Sequence, residues 1–344
     1  MMEAVEEHEH DAWDDFVSRR KDATVFQTAW WHKAWGADVK VLAKKGTDGR
    51  IEGGMALHLS KFPKKAGAFG TLGLRRPPLT HVNGPVIAEC GKTARSARFT
   101  HYKRELAEAV ASLPVLGFYD ISLGRYCPDA MPFIWNGFET GIGYTYVVPA
   151  GGIEGWWKEM SDKTRRAVKD ARKKAAELGC TMDTDPPFSE VLPLLEETTE
   201  VKRFTLGGEK KRLVTWWDAV RSKDAGSAYL LRDGQGTGIS AAILVRDGNA
   251  SYCLANGMQR EMRKDGHLNM LVFERMIADT ISSGRDFDFC GSVLMGVERF
   301  FRGWGGELRT NLRVTKIPSA AAYITWNAYR YMSMHRRGGW VKAG

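Results

Sequence analysis

Seven cations, Lys163, Arg165, Arg166, Lys169, Arg172, Lys173 and Lys174, crowd the stretch from Asp162 to Lys174, with only Asp162 and Asp170 opposing them. Trp156, Trp157, Met160, Val168 and Ala171 supply an apolar side, and Gly179 is placed to end the segment, so the pattern predicts a helix with two cationic faces. Such a surface draws phosphate-rich partners. It equally suits a solvated helix between two domains. Lys202-Arg203 with Lys210-Lys211-Arg212 forms a second basic region, and a basic tail from Arg330 to Lys342 forms a third, of a kind that commonly serves solubility alone. The net charge of +9 matters for this placement more than for its size.

Ready-made catalytic motifs are absent. The chain has no Gly-x-Ser-x-Gly elbow, no His-Glu-x-x-His, no Walker loop and no Gly-x-Gly-x-x-Gly between a strand and a helix. Gly234-Gln235-Gly236-Thr237-Gly238 lies between two strand-like runs and reads as a hairpin turn. The eight histidines show no ligand spacing, so no metal is expected. Asp288, in Asp286-Phe287-Asp288-Phe289, has the chemistry to orient an amine; capping a helix or pairing with Arg285 is its structural alternative. Most of the twelve tryptophans belong in cores, and Trp216, close to Arg212, is a candidate acceptor contact.

With 344 residues and 43% apolar content, the chain can bury two ordinary cores. No apolar run approaches the ~18 residues of a membrane span, and the acidic start from Met1 to Asp15 is unlike a secretory signal, which points to the cytoplasm. Five scattered cysteines, without a Cys-x-x-Cys pair, suggest neither a disulfide framework nor a thiolate zinc site.

The two halves echo one another. Ile51 to Lys61 and Gly238 to Arg246 are strand-like runs after glycine-containing turns. Tyr102 to Leu113 and Leu271 to Ser282 have helical spacing, and each leads into a short strand, Phe118 to Ile121 or Phe287 to Phe289. Ile134 to Phe138 and Phe301 to Trp304 then read as short helices before Tyr144 to Val148 and Leu308 to Val314. This order predicts two related α/β domains, here placed at 1–150 and 181–344, with residues 151–180 as a basic linking helix.

Several motifs together resemble the Fem (FemABX-like) family of aminoacyl and peptidyl transferases. They are Phe26-Gln27-Thr28-Ala29-Trp30-Trp31, Asn83-Gly84-Pro85-Val86, Trp157 with Ser161-Asp162-Lys163-Thr164-Arg165, and Asp288-Phe289-Cys290-Gly291 followed by Phe301-Arg302 and Trp304-Gly305-Gly306. The resemblance runs from about Phe26 to Lys316. It implies two tandem GNAT-like acyltransferase domains of α/β (α+β) class, each a mixed sheet flanked by helices. It further implies transfer of an amino acid from aminoacyl-tRNA, as co-substrate, to a free amine of a peptidoglycan precursor or an antibiotic-type small molecule, with no other cofactor.

Site residues follow from the same resemblance. Phe301-Arg302 matches a Phe-Lys pair whose cation stabilises the oxyanion; arginine keeps the charge and widens the donor fork. Asp120 matches a strand-end acid once considered a general base. Lys33 and Arg212 fall near positions that hold an acceptor diphosphate. Arg165, Arg166 and Lys169, continued by Arg172 and Lys173, correspond to the tRNA-acceptor contacts. The long helical-hairpin arm of some members is absent here between Phe204 and Ala228.

An aminoacyl ester is already activated. Orientation of a neutral amine can contribute roughly 7 to 11 kcal/mol, and one oxyanion donor about 3 kcal/mol, so no triad is required. Two other readings stay open: a GNAT N-acyltransferase that uses acyl-CoA, and a non-catalytic RNA-binding protein of the same fold. Arg263 to Leu268 occupies the place of a CoA pyrophosphate loop, but Leu268 stands where that loop has a small residue.

Overall fold

A computed structural model describes residues 1–324 apart from 37–38, 63–70, 125–126, 128, 203–209, 265–266, 292–294, 319 and 321–322. In chain order it begins with β1 (Glu3–Ala4), α1 (His10–Ser18), α2 (Ala29–Ala34), β2 (Val39–Lys45), β3 (Ile51–Phe62), β4 (Thr71–Leu74), β5 (Val86–Ile87), α3 (Arg95–Ala111), β6 (Phe118–Gly124) and α4 (Met131–Trp135). Next come β7 (Glu139–Val148), α5 (Ile153–Glu159), α6 (Asp162–Glu177), β8 (Thr181–Asp183), α7 (Phe188–Lys202) and α8 (Lys210–Ser222). The chain closes with β9 (Gly226–Arg232), β10 (Gly238–Arg246), β11 (Ala250–Met258), α9 (Asn269–Ser282), β12 (Asp286–Asp288), α10 (Met295–Arg302) and β13 (Glu307–Lys316).

Two compact units result, Met1–Ile142 with Asn311–Gly344, and Gly143–Thr310. The first unit orders its strands β1-β2-β3-β4-β6-β13 with β5 beside β3; the second orders them β7-β12-β11-β10-β9-β8. The expected echo is visible in the pairing. In each unit three strands form an antiparallel meander, β2 to β4 or β9 to β11. One helix, α3 or α9, then leads to a strand parallel to the last of them, β6 on β4 or β12 on β11.

The next strand in sequence joins the other unit's sheet. β7, which follows β6, pairs antiparallel with β12 through Phe287↔Val148 and Asp288↔Val147. β13, which follows β12, pairs antiparallel with β6 from Leu312↔Gly124 to Lys316↔Tyr119. The units therefore differ from a cut at residue 150. The helix expected to link domains also takes a different place: α6 buries Val168, Ala171 and Ala175 in the second unit's core. Only its polar arc remains outside.

The glycine-rich motif after α10 seats the start of α6. Trp156 Nε1 donates to the Trp304 carbonyl at 2.8 Å, and the two indoles stack with their planes 13° apart. Ser161 N donates to the Gly303 carbonyl at 2.9 Å, and the Ser161 hydroxyl accepts from Thr164 N as the N-cap of α6. Gly305 has φ +77°, and a Cβ there would lie 2.7 Å from the Glu159 carbonyl carbon. Backbone strain and overlap coincide at this residue.

In the first unit, the motif residues from Phe26 onward tie loops together. Trp13 Nε1 donates to the Gln27 carbonyl, Gln27 Nε2 to the Gly84 carbonyl, and Trp31 Nε1 to the Thr80 hydroxyl. His32 is wholly buried, with Nε2 donating to the Phe26 carbonyl at 3.0 Å. Burial pushes its pKa down to about 4, against the opposing effect of that hydrogen bond.

Two consequences are measurable by urea denaturation. Gly305→Ala is expected to cost about 2–4 kcal/mol of stability, the sum of left-handed strain and steric overlap. The buried His32 stays neutral in the folded state while an unfolded histidine protonates near 6.5, so acid favours unfolding from about pH 6.5 down to about 4. Between pH 7 and pH 5 this group is expected to remove about 2 kcal/mol, a loss that His32→Gln abolishes.

Candidate functional site

Arg302 ends α10 with its side chain 62% exposed, and its Nε donates to Glu298 Oε1 at 2.9 Å. The Tyr146 hydroxyl, delivered by β7, donates to the same Glu298 oxygen at 2.7 Å. That hydrogen bond, followed by the Arg302 charge, holds the Glu298 carboxyl below its ordinary range despite some desolvation. Burial, with Glu298 second, pushes the Tyr146 phenol up. The sequence of contacts fixes one edge of the guanidinium through Nε. No hydrogen bond from its terminal nitrogens is formed among the described residues, and the side chain stays largely exposed.

Phe301 belongs to the core rather than to that chemistry. It is 7% exposed, with its ring 4.6 Å from that of Phe289. The apolar side of α10 buries it, which turns the neighbouring Arg302 outward. Trp216 is likewise corrected: it is fully buried beside Trp217 and so does not present a surface to an acceptor. Arg212 lies half-buried on α8, whose Lys210 and Lys211 are exposed. A single 13-residue helix occupies this stretch among the described residues.

Asp288 is buried, and its Oδ1 accepts from the Thr145 hydroxyl at 2.5 Å and from Cys290 N at 2.8 Å. Those bonds fasten β7 and the turn after β12, where Cys290 and Gly291 both have positive φ. The Arg285 alternative is not realised, since Arg285 donates to the Asp247 carbonyl and to Ser283. Asp288 acts as a structural acceptor in this arrangement.

The basic helix divides by role. Arg165 Nη1 donates to the carbonyls of Trp157, Lys158 and Met160 at 3.1, 2.9 and 2.6 Å, while Nη2 pairs with Asp162. It thereby caps the orphan carbonyls at the end of α5, a local demand that overrides its availability to phosphate. Arg172 pairs with Glu274 and lies 5.2 Å from the centre of the Trp157 ring. Arg166, Lys169 and Lys173 are exposed and carry no ion pair among the described residues. Spaced i, i+3 and i+7, they form one row along α6.

In the first unit, Asp120 is 5% exposed on β6 and accepts from Arg313 Nε at 2.6 Å, with Arg76 Nε 3.8 Å away. Two guanidinium groups bracket the carboxylate, so it serves as their anchor rather than as a free general base. Lys33, in the last turn of α2, pairs with Glu7 at 3.0 Å. Both partners are solvent-accessible, and an exposed pair of this kind contributes little and exchanges readily.

Sequence reading missed Tyr146, Glu298, Arg76 and Arg313. The i, i+4 spacing of Glu298 and Arg302 was a usable signal. Tyr146 had none, since it meets Glu298 across 152 residues of sequence. The loop proposed for CoA lies partly outside the described residues, which omit Asp265 and Gly266. Leu268, however, is fully buried within the second core. Its side chain is therefore committed to packing rather than to the surface of the loop. Among the described residues, no group of three or more His, Cys, Asp or Glu could hold a metal, and no helix is long and apolar enough to cross a membrane.

Residues 162–302 match the family model described as acetyltransferase (GNAT) domain. No curated protein sequence matches the chain. Among solved structures, FemX is similar with a TM-score of 0.64 at 15% identity, covering 91% of this chain and 96% of its own. L-PGS from Bacillus licheniformis is similar with a TM-score of 0.52 at 11% identity, covering 95% and 97%. A conserved protein of unknown function from Bacteroides thetaiotaomicron gives 0.53 at 9% identity, covering 92% and 99%. The strand pairing of each unit, its crossover helix and these likenesses agree, and the chain has the fold of the Fem-like GNAT family.

Proposed function

We propose that this protein is an acyltransferase that moves an aminoacyl group from aminoacyl-tRNA to a free amine, on a peptidoglycan precursor or an antibiotic-type small molecule. The observation that carries the donor is the row of Arg166, Lys169 and Lys173, exposed and without ion pairs among the described residues. Three exposed cations along one side of a helix, without ion pairs among the described residues, offer phosphates a surface whose binding would release counterions. Arg302, fixed through Glu298 and Tyr146, supplies the stabilising charge for the tetrahedral intermediate. In the reaction the neutral amine nitrogen attacks the ester carbonyl, the carbonyl oxygen becomes anionic beside Arg302, and collapse breaks the ester C–O bond, the proton lost by the nitrogen passing to the leaving oxygen to give the tRNA hydroxyl and the amide.

A second reading, acyl-CoA as donor, is favoured by the match of residues 162–302 to an acetyltransferase domain and by the inward-turned Leu268. The two donors predict different effects of α6.

Filter binding of tRNA at two salt concentrations separates them. Wild type is expected to bind tightly at low salt. Arg166→Glu/Lys169→Glu/Lys173→Glu is expected to lose at least a hundredfold in affinity with an unchanged melting temperature, since all three side chains are solvent-facing. Arg165→Gln is expected instead to cost about 1–3 kcal/mol of stability, because it strips a charged donor from three carbonyls. Absence of tRNA binding by wild type at low salt, or undiminished binding by the triple variant, would overturn the tRNA donor.

A further inference from the structure

In the first unit, β4 and β6 run parallel only through Gly73↔Phe118 and Leu74↔Tyr119. Beyond Leu74 the chain departs from β6. It returns at Asn83 and Gly84, whose amides both donate to the Ser122 carbonyl, at 3.0 and 2.9 Å. Between these two attachments β6 continues through Asp120, beside a splayed rather than a paired neighbour. Asn83 takes up the β6 backbone groups in between: its Oδ1 accepts from Ser122 N at 2.8 Å, and its Nδ2 donates to the Asp120 carbonyl at 3.3 Å. Crevices beyond the carboxyl end of a parallel strand pair are where α/β sheets accept ligands.

The charges gathered there do not balance. Arg76, just past the end of β4, and Arg313, on β13, both direct Nε at Asp120. Arg313 takes the hydrogen bond at 2.6 Å; Arg76 remains at 3.8 Å, beyond hydrogen-bonding range. The Arg76 Nε is buried with no hydrogen-bond partner among the described residues. A buried guanidinium nitrogen without an acceptor is costly, and such groups in folded proteins are normally satisfied. Burial pushes the Arg76 guanidinium below its ordinary value; Asp120 opposes this, while the charges of Arg313 and Arg75 reinforce it. His81 adds no further positive charge, since burial, followed by Arg76, pushes its pKa down to about 3. The fold thus holds two guanidinium groups on one carboxylate.

We infer that Arg76 and Arg313, anchored by Asp120 in the splay between β4 and β6, form an anion site that takes a phosphate or carboxylate group of a ligand. Both guanidinium groups keep donors beyond those aimed at Asp120, and a planar donor fork suits either anion. Asp120 is then a positioning residue: it fixes the two forks before the ligand arrives and prevents their mutual repulsion from opening the splay. The inference is independent of the identity of the acyl donor, because every residue it uses lies in the first unit.

Thermal-shift titrations with inorganic phosphate and with acetate, at ionic strength held constant with chloride, test this on the full chain. Wild type is expected to show a saturable rise in melting temperature with at least one of the two; a stronger response to phosphate assigns the site to phosphate esters, and an equal or stronger response to acetate assigns it to carboxylates. Arg76→Gln is expected to weaken that response at least tenfold while its anion-free melting temperature stays the same or rises, because a guanidinium whose buried Nε lacks a hydrogen-bond acceptor is removed. Arg313→Lys, which retains the charge on Asp120 but loses the fork, is expected to fold and to weaken the response at least fivefold, and it decides the matter if Arg76→Gln fails to fold. The inference is overturned if neither anion exceeds the chloride control, or if the folded variants respond as wild type does.

Discussion

Each sheet is completed by a strand that the chain reaches directly from the other unit, and the chemistry of both units depends on this strand. β7 brings Tyr146 to Glu298 and Thr145 to Asp288 in the second unit. β13 brings Arg313 to Asp120 in the first. Without the antiparallel pairing of β7 with β12 and of β13 with β6, Arg302 would lack its buried support and Asp120 would lose its closest partner. The first unit's arrangement needs two separate segments of the chain, since Asp120 lies in Met1–Ile142 and Arg313 in Asn311–Gly344. A pairing that is long-range in sequence is what makes the two sites possible.

The residues that make the chain resemble its relatives serve mostly as framework. Trp156 and Trp304, Ser161 and Gly303, and the close approach at Gly305 fix where α6 begins. Gln27, Gly84, Trp31 and Thr80 do the same for the loops of the first unit. Once α6 is seated, its apolar edge is committed to the core and Arg165 is committed to the end of α5. The remaining outward arc is free to carry Arg166, Lys169 and Lys173. Framework constraints thus decide which cations of a dense run face solvent unpaired and which are spent locally.

The sequence made the duplicated order of elements legible because strand and helix periodicities are local, and the echo from Ile51 to Lys61 in Gly238 to Arg246 survives as β3 and β10. It also located α6. It did not disclose the exchange of β7 and β13, since partner choice in a sheet leaves no local periodic trace. For the same reason Trp216 was read as a surface contact from its neighbour Arg212, although the side chain points into the core. Phe301 and Asp288 carried motif positions without revealing that one is packing and the other a hydrogen-bond anchor. Arg165 could not be distinguished from Arg166 until the carbonyls at the end of α5 were placed beside it.

The most direct measurement is transfer itself: a tRNA pool charged with labelled amino acids is incubated with the protein and a mixture of small amines and peptidoglycan precursors, and label is followed into amide products. The account predicts that label moves from tRNA to an acceptor with wild-type protein, and that Arg302→Ala slows this transfer by about two orders of magnitude, the usual cost of removing one oxyanion donor. Label that remains on tRNA while acyl-CoA supports amide formation on the same acceptors would contradict it.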